Sequence, residues 1–375
     1  MSRAGDTRSV LGRFAGRLAS AEAGERFVVA LATIALSLLV GSAVILATGY
    51  DPVLFVRSLV YGAIGTQSQI AFTLRRATIL ILAGVAVSVA FRANVFNIGV
   101  QGQLVVGGFT TAMTVLGLAP HLPEGGVGGL LLVSLGLFAG VLGGAAYAAI
   151  PGLLLAYADA NEVITTIMLN FIATGVLFVL VDGPLKEPAA PAPRTPDFPK
   201  YAGFPRVLLD SGNFSVFGLL IALAAVVCVA VVLSRSAFGY DLRTSGRQAP
   251  AAAFSGVDPE RTIVSTMVVS GMVAGLAGAV YTIMIVGYYQ DPGVTPTFGF
   301  TGIAVSLLAA NNPLAVVPSG LLFGGLDAGQ QFVDVNLAVP KELVDGIVGL
   351  VVLFVATPEL FRTAGRRLRT GGDRE

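Results

Sequence analysis

The 375-residue chain holds one cysteine, one histidine and no tryptophan, and only 12% of its residues are charged. The lone Cys228 excludes an intrachain disulfide and any cysteine-based zinc site. The lone His121, placed among Pro120, Pro123 and Gly125, excludes a histidine metal cluster or a His-centred triad, and reads as a loop residue. Lysine is scarce too. Lys186, Lys200 and Lys341 follow Leu or Pro, so no glycine-rich loop ending in Gly-Lys-Ser/Thr exists. The chain therefore has no phosphate loop of its own with which to bind and hydrolyse ATP. A net charge of +1 argues against a nucleic-acid partner, which would leave a strong basic excess.

What fills the chain instead is apolar: 55% of residues, with a mean hydropathy of +0.82. A soluble domain carries about 25% charged residues because its surface meets water. Half that fraction means that most of this surface meets something else. A helix needs about 20 apolar residues to span hydrocarbon. Runs of that kind fall near 27–49, 77–93, 96–117, 127–156, 162–181, 216–234, 262–286, 298–311, 314–333 and 341–357. The 298–311 run is short enough for a half-spanning helix, and the amphipathic 51–70 segment is expected at the outer surface. The expected fold is all-α: a polytopic membrane protein of about ten transmembrane helices.

Orientation follows from Arg and Lys near helix ends. The N-terminal tail 1–26 (Arg3, Arg8, Arg13, Arg17, Arg26), the 235–261 loop (Arg235, Arg243, Arg247, Arg261) and the C-terminal tail 358–375 (Arg362, Arg366, Arg367, Arg369, Arg374) share a side if the count is ten. The other side holds Arg57, Arg75, Arg76, Lys186, Arg194, Lys200, Arg206 and Lys341, with Arg92 at a junction. That asymmetry places both termini in the cytoplasm, although Arg75–Arg76 run against it. The apolar run after Arg26 is too long for a signal-peptide core, so the N-terminus is expected to be retained. The 182–214 stretch, with seven prolines and no helical period, is expected to be an extended outer loop. In 235–261 the Ala-rich core from Ala249 to Phe254 suits a short cytoplasmic helix.

Gly recurs at three- and four-residue spacing, as in Gly140–Gly143–Gly144 and Gly271–Gly275–Gly278, which suits close helix packing in lipid. Deep ionisable residues are few: Asp327, Asp345, and Asp159 and Glu162 at a helix start. Two polar segments interrupt the apolar pattern. One is Phe91-Arg92-Ala93-Asn94-Val95-Phe96-Asn97-Ile98-Gly99-Val100-Gln101-Gly102-Gln103. The other is Ala160-Asn161-Glu162-Val163-Ile164-Thr165-Thr166-Ile167-Met168-Leu169-Asn170-Phe171. Polar groups at membrane depth line a cavity or hold a tight helix junction. Asn94, Asn97, Gln101, Asn161 and Asn170 are thus the candidate solute-pathway residues, with helix packing as the alternative for each.

These segments resemble the "NIG…GQ" and "NEvI…TiMLN" stretches of ABC-transporter permeases for simple sugars, ribose and nucleosides. Gly299-Phe300-Thr301-Gly302-Ile303-Ala304-Val305-Ser306 with Asn312-Pro313-Leu314 is a third match, and the likeness covers roughly residues 50–357. Asn161 through Asn170, and Gly183-Pro184-Leu185-Lys186 after that helix, are most similar to the nucleoside type. The stretch from Gly239 to Val257 resembles the family's cytoplasmic coupling segment in Arg243, Gly246, Ala252 and Gly256, while Arg247-Gln248 replaces the usual acid–Asn pair. The resemblance implies a binding-protein-dependent importer in the bacterial plasma (inner) membrane. The implied partners are an ATP-binding subunit with two nucleotide-binding domains, a second permease or second copy, an extracytoplasmic substrate-binding lipoprotein or periplasmic protein, and lipid. ATP and Mg would be bound by the ATPase and no cofactor by this chain, which is then not itself an enzyme. Arg243, Gly246, Arg247, Ala252, Phe254 and Gly256 would form the ATPase-coupling surface. The solute would be a nucleoside, or else a ribose-like sugar. The rival of a different class is a stand-alone secondary transporter or channel.

Overall fold

The computed structural model describes residues 36–37, 39–207, 209, 213–290, 298–337 and 339–356; the arginine-bearing tails lie outside them. Among the described residues the chain is helical, with one isolated bridge between Arg194 and Gln290. After a helical stretch over 39–47 come α1 (Pro52–Ile64), α2 (Gln67–Arg92), α3 (Val100–Leu118), α4 (Gly126–Ala158), α5 (Glu162–Asp182) and α6 (Val216–Arg235). Two short helices follow, α7 (Ala237–Arg247) and α8 (Ala249–Phe254). The chain continues with α9 (Pro259–Tyr281), a π-turn over Thr282–Val286, α10 (Phe298–Leu308), α11 (Val316–Asn336) and α12 (Lys341–Ala356).

Among the described residues six helices are long and apolar enough to cross a membrane: α2 to α6, and α9 with its π-turn. At 1.5 Å per residue the 11-residue α10 reaches about 16 Å, roughly half a hydrocarbon core. Short polar side chains start these helices by accepting their first free N–H groups. Thr66 takes the N–H of Gln69, Asn161 those of Val163 and Ile164, Ser215 that of Phe217, and Asp258 that of Arg261.

One compact unit is formed by residues 63–328. Its core runs along α2, where every residue from Ala77 to Ala90 is buried, as expected for a helix that is apolar all round. The α9 helix lies along α4, α3 and α2, and α10 lies against α2. Glycine makes these contacts possible. Gly271 and Gly275 face Gly140 and Gly144, and Gly278 faces Leu104 and Gly108, so closely that a β-carbon would strike backbone. The long loop after α5 is stitched to the segment after α9. The Thr195 and Phe198 N–H groups donate to Tyr289 and Gly287 carbonyls at 2.8 and 2.7 Å, and the Tyr289 N–H returns a bond to the Thr195 hydroxyl.

The second unit comprises residues 1–62 and 329–375. There the Tyr61 and Phe332 rings meet at a tilt with centroids 5.3 Å apart, Gly41 sits on Ile347, and the Gln330 amide bonds Asp345.

Two sequence expectations shift. The apolar run read as 77–93 begins ten residues earlier, at Gln67, so Arg75 and Arg76 lie inside α2 rather than in a loop before it. Arg76 pairs with Asp327 at 3.2 Å and Arg75 lies 4.1 Å over the Phe72 ring, and these contacts within the protein keep the helix going. The 235–261 loop holds two helices instead of one, since Ser236 caps an additional helix, α7, by accepting the Gly239 N–H.

Candidate functional site

The α2 helix stops at Arg92, and α3 begins only at Val100. Asn94 adopts a left-handed backbone (φ 56), a conformation that Asn tolerates better than other side-chain-bearing residues. An unwound segment whose alternate residues Ala93, Val95, Asn97 and Gly99 are buried needs its backbone groups satisfied from within the protein. The first turn of α3 also has free N–H groups, and Gly99 offers no side chain to cap them.

Asn97 and Asn170 supply what is missing. The Asn97 carbonyl oxygen accepts from the Gly99 N–H at 3.1 Å and the Gln103 amide at 2.9 Å. Its NH2 group donates to Gln103 Oε1 at 3.0 Å and Ser270 Oγ at 2.8 Å, and Ser270 donates onward to the Ala86 carbonyl at 2.7 Å. Asn170 donates to the Ile98 carbonyl at 3.0 Å and accepts from the Gly102 N–H at 2.8 Å. Gln101 Oε1 accepts from the Gly299 N–H at 2.7 Å. Tyr147 braces the set by donating to the Leu169 carbonyl at 2.6 Å. One amide network thus ties together α2, α3, α5, α9 and the start of α10. All of its amide side chains are buried, Asn97 completely.

Of the candidate pathway residues, the structure brings Asn97, Gln101 and Asn170 into this network. Asn94 and Asn161 stand outside it: both are exposed, one in a left-handed turn and the other as the α5 N-cap. Gln103 and Ser270 belong to the network without being among the sequence candidates. Gln103 follows two glycines and an amide in a recognisable stretch, but nothing in the local sequence marks Ser270, 173 residues from Asn97.

The α7–α8 segment abuts the same junction. Gly246 faces Ala93 so closely that a β-carbon would sit 2.6 Å from the Ala93 carbonyl. Arg92, at the end of α2, donates through Nε to the Asn311 carbonyl at 2.8 Å. Arg243 donates to the Gly239 carbonyl at 3.0 Å, and both Arg243 and Arg247 are exposed. On α8, Ala252 is buried, whereas Phe254 is 97% exposed. Gly256 has φ +83, and a β-carbon there would meet nothing within 4 Å, so its backbone conformation rather than close packing requires glycine. Asp258 caps α9, and the Arg261 backbone N–H holds its carboxyl below the usual carboxylate range.

A chain with six membrane-length helices among its described residues, a buried amide junction and an aromatic held out on a short helix has the make-up of a multi-pass membrane protein. Residues 69–356 match the family model described as "Branched-chain amino acid transport system / permease component". A guanosine ABC transporter permease of Bacillus subtilis is 32% identical over 352 residues, covering 92% of this chain and 97% of that protein. A nucleoside ABC transporter permease of Lactococcus lactis is 30% identical over 339 residues, 88% of this chain and 91% of the relative. A glucose ABC transporter permease of Haloferax volcanii is 32% identical over 338 residues, 88% and 87%. No solved structure matches the chain. The chain belongs to this family of ABC-transporter permeases: it is the membrane subunit of an ABC importer and not itself the ATPase.

Proposed function

We propose that the chain imports nucleosides across the bacterial plasma membrane, working with an ATPase, a second permease or second copy, and an extracytoplasmic binding protein. The likeness to permeases named for guanosine and nucleosides supports the solute class. The likeness to a glucose permease keeps a sugar as the second reading. Both termini face the cytoplasm in this proposal. The alternation of α2 to α6 and α9 supports it, because Arg92, Arg235, Arg243, Arg247 and Arg261 then share one side, as Lys/Arg-rich cytoplasmic ends do. Ten crossings result if the helical stretch before Thr48, α10 with the short segment that follows it, α11 and α12 cross as well.

The observation that carries the mechanism is Phe254. A phenylalanine 97% exposed, on a six-residue helix whose Ala252 faces inward, is placed to fill a groove on a partner. ATP and Mg bind the partner ATPase. Its closure moves α7–α8, and Gly246 passes that motion to Ala93 and the amide junction. Asn97, Gln101 and Asn170 then shape the passage by fixing the junction, while Asn94 and Asn161 border its cytoplasmic end. An aromatic anchor in a pocket contributes about 2 kcal/mol or more to an interface. In the reconstituted complex Phe254→Ala is expected to weaken ATPase association or uncouple hydrolysis from uptake. Normal coupling with a stably bound ATPase would refute the role. Uptake of labelled guanosine, adenosine, uridine and glucose, side by side, tests the solute.

A further inference from the structure

Arg243 and Arg247 stand on α7 with no carboxylate in ion-pair reach among the described residues. At about 100° per residue, Tyr240, Arg243 and Arg247 fall within an arc of about 60°, and all three are exposed. Leu242 and Gly246, the first buried and the second set against the Ala93 backbone, lie on a face centred about 110° away. The arc therefore turns away from the end of α2. Asp241 lies about 160° round the helix from Arg243 and about 120° from Arg247, out of position to neutralise either. Farther on, Asp258 is already paired with Arg261 at 3.0 Å at the start of α9, where Glu260 also sits. Arg92 adds to the local excess, because its Nε is turned to the Asn311 carbonyl rather than to an acid, and its charge and that of Arg243 repel one another. Phe254, almost wholly exposed, follows on α8.

We infer that the ATPase groove receiving Phe254 carries carboxylates that clasp Arg243 and Arg247, so that the segment selects its ATPase by the sign of charge; the inference rests on the coupling role proposed above. Like charges one helical turn apart repel each other. With Arg92 beside them they leave a positive potential that an acidic surface relieves and a basic one worsens. A guanidinium offers paired donors in a planar fork, which a carboxylate accepts in parallel. Packing of the aromatic in a pocket excludes water from charge pairs beside it, and so strengthens them. Phe254 then supplies the hold, and the arginines decide which ATPase is held. Anionic lipid is the competing source of negative charge, but a helix lying on a bilayer presents a broad apolar face. The exposed surface of α7–α8 offers only Tyr240 and Phe254 as large rings, among alanines and polar groups, which suits a pocket in a protein.

The test uses the full complex in nanodiscs, with the ATPase that co-purifies with the chain, and reads ATPase dissociation as NaCl rises from about 50 to about 500 mM. Wild-type affinity should fall steadily over that range. Arg243→Gln and Arg247→Gln are each expected to weaken ATPase binding about tenfold and to flatten its salt dependence, as for one lost charge-assisted hydrogen bond. Arg247→Lys keeps the charge and should keep the salt dependence, whereas Arg243→Glu should weaken binding further than Arg243→Gln. Arg261→Gln, whose guanidinium already has Asp258, should change neither quantity. Salt-independent binding by the wild type would overturn the inference without any variant. So would Arg→Gln changes that bind like wild type, an Arg243→Glu complex no weaker than Arg243→Gln, or an equal loss from Arg261→Gln. Losses seen in discs containing anionic lipid but absent in discs of phosphatidylcholine alone would assign the arginines to lipid and overturn it as well. A Phe254→Ala complex with normal binding and coupling overturns the coupling reading beneath. A weakened Phe254→Ala complex beside unaffected arginine variants overturns the charge selection alone.

Discussion

Replacing Asn97 by Ala removes four hydrogen bonds and leaves three buried groups without their partners: the Gly99 N–H, and the oxygen and nitrogen of the Gln103 amide. Hydrogen bonds within membrane proteins average about 0.6 kcal/mol, which sets a floor near 2 kcal/mol for the four. An orphaned buried group costs about 1–3 kcal/mol, and partial relaxation keeps the total below about 5 kcal/mol. The expected outcome is a lower apparent Tm for the purified protein in detergent, read by size exclusion after heating. Uptake should fall in step with the folded fraction. A second arm isolates the cause. Asn97→Leu combined with Gln103→Leu removes both ends of the paired amides, so the double change should be milder than the sum of the singles by about 1 kcal/mol. Additive singles, or an Asn97→Ala protein as stable as wild type, would refute the view that this amide satisfies the junction.

Gly246→Leu puts a side chain against the Ala93 backbone and should uncouple ATP hydrolysis from uptake in the reconstituted complex; unchanged coupling would show that the contact transmits nothing. In a Cys228-free background, Lys200→Cys should label from outside, and Ser255→Cys only after the membrane is opened. Labelling of both from one side would break the proposed topology. The lowered Asp258 pKa means its cap contributes fully above the ordinary carboxylate value and is lost as pH falls through the depressed one. Protection of the Arg261 amide from hydrogen exchange, taken relative to the intrinsic rate at each pH, should therefore hold at pH 7 and fall only well below about pH 4. Loss of that protection already at about pH 5 to 6 would contradict the cap.

Much of this arrangement was legible because lipid forces a simple code. The apolar runs, the Ala-rich helix ending at Phe254 and the polar 91–103 stretch all stood out as departures from a local pattern. The start of α2 was misplaced because Arg75 and Arg76 broke the apolar run, and their compensation comes from Phe72 and from distant Asp327 and Phe298. Asn97 could be recognised as a polar group out of place, but its bonds to Ser270 and, through it, to Ala86 depend on how three helices cross. The α7 helix was hidden by its own glycines and hydroxyls, which read as a loop until Ser236 is seen capping it. Gly256 was legible as a glycine with a purpose, though its purpose is a left-handed turn.

The 33-residue α4 is about 50 Å long, well beyond the roughly 30 Å of a hydrocarbon core. A helix of that length tilts, bends at Pro151 or lifts its end clear of the bilayer, and its choice depends on bilayer thickness. Because α9 meets α4 backbone to backbone through Gly140, Gly144, Gly271 and Gly275, no flexible side chain cushions the two against each other. A change in the slant of one must carry the other with it. The α9 helix begins directly after the α7–α8 segment, at the Asp258 cap. Bilayer thickness therefore bears mechanically on the segment where an ATPase would engage, and the acyl-chain length of the surrounding lipid becomes a determinant of how well hydrolysis and transport stay in step.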